Sequence, residues 1–81
     1  MAEKEISPLA QAVRDRLLQL CEEQDLTVEA LADRAGLATS SVKNVIYCKC
    51  QSPQLGTVKQ LCDGLGIALK TFFDAPMFEQ L

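Results

Sequence analysis

Residues 26–47 read LTVEALADRAGLATSSVKNVIY, and this stretch decides the fold. Thr27 is a good N-cap, because its short hydroxyl can accept a bond from a free amide of the first helical turn. Leu26 before it and Leu31 after it occupy the two positions of a hydrophobic staple. The spacing of Leu31, Ala32 and Ala35 predicts a short helix over 28–35 with those residues inward. Gly36 stops it, since glycine takes the left-handed conformation that closes a helix at little cost. Val42, Val45 and Ile46 then repeat at helical spacing, which predicts a further helix from about Thr39 to Tyr47. Its outward side carries Ser40, Lys43, Asn44 and Tyr47. Two short helices joined by a tight Gly-containing turn make a helix-turn-helix.

The flanks extend the same pattern. Ser7-Pro8 is a helix start, and Leu9, Val13, Leu17, Leu20 and Cys21 form one apolar stripe running to about Glu23. A loop is expected from Cys48 to Gln54, with Ser52-Pro53 as its turn signal. Leu55, Val58, Leu61, Cys62 and Leu65 mark a fourth helix, closed by Gly64 or Gly66, and Ile67, Leu69, Phe72 and Phe73 suit a short fifth. No stretch reads as a strand. The expected architecture is all-α with five helices in a single domain over 1–81. Its core runs from about 9 to 74, with an N-terminal tail over 1–6 and a C-terminal tail over 75–81. For that last tail, which carries Met77, Phe78 and Leu81, folding back, mobility and packing on a second copy all remain open.

The chain has 81 residues, enough for one domain. It contains no His, which removes the commonest general base and an imidazole metal ligand. Ser40 and Ser41 therefore have no partner for nucleophilic catalysis, and neither a Gly-rich phosphate loop nor a paired-carboxylate signature is present. We expect no enzyme activity, no catalytic residue, no cofactor, no small-molecule ligand and no membrane span. The four Cys are expected to stay reduced in the cytoplasm. Cys48-x-Cys50 sits beside Lys49, and a nearby positive charge can lower a thiol pKa, so a redox role there competes with two ordinary reduced cysteines. Cys21 and Cys62 fall on apolar stripes, which leaves too few ligands for a metal site.

Charge is unevenly placed in a chain whose net is −3. Residues 1–33 carry three cations against eight acids. Residues 34–62 carry Arg34, Lys43, Lys49 and Lys59 and no acid. A basic stretch inside an acidic chain suits a polyanion, and the acids elsewhere would confine that partner to one face. The outward side of the third helix has the right chemistry for the major groove. Asn can bond adenine twice, Lys can meet guanine or phosphate, and Ser and Thr reach base edges or phosphates.

The blocks LTVEALADRAGL, VKNVI and PQLGTVKQLCDGLGI, followed by Phe72-Phe73, resemble the Cro/C1-type (Xre) helix-turn-helix family of bacterial and phage transcriptional regulators. The resemblance spans about residues 9 to 74. It implies a lambda-repressor-like fold, sequence-specific binding of double-stranded DNA, repression of transcription and a homodimer formed near the last helix and tail. By position it puts base contacts on Thr39, Ser40, Lys43 and Asn44, and backbone contacts on Thr27, Tyr47, Lys49 and Ser52. Three residues depart from the family pattern. Val28 stands where many members carry a phosphate-bonding Gln. Ala38 stands where many carry a Ser or Thr cap, which leaves Thr39 as the alternative cap, its hydroxyl then less free for a base. Cys48 stands where Gly is common, and a non-Gly residue in the left-handed region costs on the order of 1 kcal/mol. With the acidic balance, these departures keep a second reading in view. In it the chain is a protein-interaction module of the same fold, partner of a larger regulator or toxin.

Overall fold

A computed structural model describes residues 7–49, 54–79 and 81. Among these residues six helices follow one another: α1 Pro8–Gln24, α2 Val28–Ala35, α3 Thr39–Ile46, α4 Leu55–Leu65, α5 Leu69–Phe73 and α6 Pro76–Glu79. No strand occurs among the described residues. The core gathers one apolar stripe from each of the first five. Leu17, Leu31, Val42, Leu61 and Phe72 are wholly buried at its centre, and each such side chain contributes about 1.5–3 kcal/mol by leaving water. Among the described residues no charged or polar side chain is buried with them.

α2 packs chiefly on α4, and that contact sets the frame for the helix-turn-helix. The approach is close because Gly64 lies inside α4 against the end of α2. A Cβ built there would stand 3.0 Å from the Ala35 backbone nitrogen and 3.1 Å from its Cβ. Gly66, with φ 75°, is the residue that closes α4. The two glycines thus have separate roles, one for crossing and one for ending the helix.

Four helices close with the same paired bonds, in which the left-handed residue donates to one carbonyl of the last turn and its successor to an earlier one. Gly36 and Gly66 hold two of these turns; Asp25 (φ 57°) and Cys48 (φ 56°) hold the others. After α1, α2 and α4 the successor is Leu26, Leu37 or Ile67, each packed back against the core. After α3 it is Lys49, whose N–H donates to the Asn44 carbonyl at 2.9 Å while its side chain stays exposed. The apolar contact at that turn comes from Cys48 itself, which is buried with its Sγ 3.7 Å from the Ala10 carbonyl.

Polar side chains of α1 tie down the far end of the chain. Arg16 donates to the Phe72 and Thr71 carbonyls at 2.8 and 2.7 Å, so a cation caps the negative end of α5. Gln24 donates to the Leu65 carbonyl at 2.8 Å at the end of α4. The tail forms the sixth helix, which the sequence pattern does not announce. It folds back on α1, with Ala75 buried and the Phe78 ring 4.9 Å from Phe73 and 6.0 Å from Phe72. Met77 and Leu81 line a shallow cavity of about 250 Å³ with Pro8, Gln11, Ala12 and Asp15.

Burial pushes the Cys21 and Cys62 thiols above their ordinary pKa, with Asp63 adding to the effect at Cys62. Both are core side chains, as their positions on the apolar stripes predict.

Candidate nucleic-acid interface

The α3 helix is eight residues long, so about 12 Å, and an α-helix with its side chains is about 10–12 Å across, which the major groove admits. Val42 and Val45 face the core and Ile46 packs against it. That fixes the opposite face. Ser40, Lys43, Asn44 and Tyr47 follow one another by three, one and three residues, and all four are exposed, Tyr47 by 61%. Thr39 is half-buried at the start of the helix.

The expected cap is not made. Ala38 takes the N-cap position and no side chain caps the helix, so the Thr39 hydroxyl is not engaged in capping. The amides of Ser41 and Val42 both reach the Ala38 carbonyl, at 3.0 and 3.4 Å. The predicted helix also ends one residue early, because Tyr47 leaves helical geometry (φ −88°, ψ 6°) to begin the closing turn.

At the start of α2 the Thr27 hydroxyl accepts from the Ala30 amide at 3.0 Å, which confirms it as a cap. Capping uses its oxygen and leaves its O–H free to donate. Val28 leans on the core instead of reaching outward. Thr27 is exposed on one helix of the motif, and the polar face of α3 lies on the other. Ser52 and Cys50 lie outside the described residues, as does the N-terminal tail over 1–6.

The basic stretch is weaker than its residue count suggests. Lys59 pairs with Asp63 one turn along α4, and Asp63 lies just past the stretch that holds no acid. Arg14, outside that stretch, pairs with Asp15 at 2.9 Å, and this bond is the main cause of its raised pKa. Lys43 and Lys49 are exposed and make no ion pair among the described residues. What the sequence pattern misses is the support behind Lys49. The left-handed Cys48 was foreseeable from the family pattern, but its reach to α1 was not.

Residues 16–76 match the Cro/C1-type HTH DNA-binding domain. The chain belongs to this family. The crystal structure of the prophage Lp1 protein 11 is similar to it, with a TM-score of 0.77 and 30% sequence identity over 89% of this chain and 95% of that one. No curated protein matches the chain. A Cro/C1-type domain is a DNA-binding fold, and its second helix-turn-helix element is α3, the helix with the exposed polar face. No described helix is long and apolar enough to cross a membrane.

Proposed function

We propose that the protein is a sequence-specific transcriptional repressor of the cytoplasm that lays α3 in the major groove. The observation that carries this reading is the face formed by Ser40, Lys43, Asn44 and Tyr47 on the second helix of a Cro/C1-type motif. Asn44 and Lys43 read bases, helped by Ser40 and by Thr39, whose hydroxyl no cap consumes. Thr27, Tyr47 and Lys49 meet the phosphate backbone and set the register. Ser52 is assigned to the same backbone contact.

Two unpaired cations on this face are few for a stable complex, because phosphate neutralisation supplies most of the affinity. A homodimer doubles them. Its two α3 helices would lie about 34 Å apart, one turn of DNA. Leu81, 58% exposed at the end of the tail, suits the contact between copies near α5 and α6. The chemistry asks for no cofactor, metal or catalytic residue.

A selection from random duplexes at low salt, repeated at about 150 mM where screening reaches only ~8 Å, tests this directly. An enriched palindrome is the expected result. Lack of any enriched motif, with binding abolished at the higher salt, overturns base reading. It would move the assignment to a protein-interaction module, which the core-facing Val28 and the Lys59–Asp63 pair favour.

A further inference from the structure

Cys48 sits between Tyr47 and Lys49, the two residues at the end of α3 assigned to the phosphate backbone. Both neighbours are exposed, whereas Cys48 is buried in a left-handed conformation. At the glycine turns, Gly36 and Gly66, a Cβ would meet nothing within 4 Å, so no side chain anchors them. At Cys48 the side chain points inward and its Sγ donates to the Ala10 carbonyl in the first turn of α1, 38 residues away in sequence. The closing bonds from Cys48 to Val45 and from Lys49 to Asn44 then fix the backbone at either side of the anchor. Beside the inward Cys48, Lys49 is exposed.

We infer that Cys48 is a positioning residue for DNA binding, its thiol anchoring the end of α3 to α1 so that Lys49 is held where the phosphate backbone passes. This rests on the DNA-binding reading above. It explains why a strained non-glycine residue stands in a turn that glycine would make freely. Glycine would form the same bonds but leave the segment able to swing, and ordering Lys49 would then have to be done by the DNA.

The test is a double-mutant cycle on Cys48 and Lys49, read as affinity for a random-sequence duplex and as its salt dependence. Cys48→Gly is expected to weaken binding about tenfold, the worth of roughly one charge-assisted contact. The salt slope is expected to stay, because Lys49 still neutralises its phosphate once the DNA has ordered it. In a Lys49→Ala background the same change is expected to cost nothing. Cys48→Ser keeps an inward donor, whose shorter bond must shift toward the Ala10 carbonyl to replace the thiol, and it is expected to recover most of the affinity lost in Cys48→Gly. Far-UV circular dichroism and a melting curve report whether each variant is folded. Equal losses from Cys48→Gly with and without Lys49 would overturn the inference and make Cys48 merely structural. So would the absence of any loss, or failure of Cys48→Ser to rescue. A wild-type chain that binds no duplex at all is a different result, which removes the DNA reading and this one with it.

Discussion

The two helices of the motif are of equal length and are treated oppositely by the rest of the molecule. α2 is fastened at both ends. Thr27 caps its start, Gly36 closes it, Gln60 donates to its Ala35 carbonyl at 3.4 Å, and Gly64 lets α4 press against its last turn. α3 has no side-chain cap, and its outward polar groups have no partner among the described residues. Around α2 the polar groups of Thr27 and Gln60 are spent on holding the helix in place, while its own Glu29, Asp33 and Arg34 stay exposed. Around α3 no side chain is spent in this way at the start of the helix. A helix destined for a groove has to withhold its hydrogen-bonding groups from its own protein, and that restraint costs it intrinsic stability.

This contrast breaks most sharply at Gly64. Gly64→Val forces methyl groups into the Ala35 backbone and is expected to destabilise the fold by about 3 kcal/mol, read from urea unfolding. A loss below ~1 kcal/mol would mean that α2 is not held by this crossing. Asn44→Ala is expected to cost roughly 1–3 kcal/mol on the selected operator, with random-duplex affinity and melting temperature unchanged. Equal loss on both duplexes would show that Asn44 does not read a base.

Adding the missing cap sharpens the comparison from the other side. Ala38→Ser is expected to raise stability by ~1 kcal/mol, because α3 then gains what Thr27 gives α2. A melting temperature that does not move would show that another group already satisfies this helix end. A smaller effect on stability than that of the added cap is expected at Lys49. Lys49→Ala should shift it by no more than about 0.5 kcal/mol, while binding weakens alike on operator and random DNA and the salt slope falls by about one. A loss confined to the operator would reassign Lys49 to base contact.

Most of the framework was legible because it is local. Caps, glycines and apolar spacing put α2 at its observed bounds and the neighbouring helices within a residue of theirs. The choice between Gly64 and Gly66 was not legible. Only a tertiary contact distinguishes a glycine that ends a helix from one that lets another helix approach. The sixth helix was missed for the same reason. A single turn has too few internal bonds to form alone, and it depends on Phe78 meeting Phe72 and Phe73. The candidate face was legible as a pattern, since the core positions of α3 dictate what points out. Its electrostatics were not, because Asp63, outside the basic stretch, takes Lys59 out of play.

The bonds from Arg16 to Thr71 and Phe72 span 55 and 56 residues of chain. During synthesis, at 5–20 residues per second, that interval lasts about 3–11 s. Throughout it the first helix exists without the carbonyls that will receive its guanidinium, and without the tail that will cover its outer side. The N-terminal helix is made first and completed last. A nascent chain halted before Thr71 therefore holds a motif that is already written but not yet mounted, and arrival of the α5 carbonyls becomes the event that locks it.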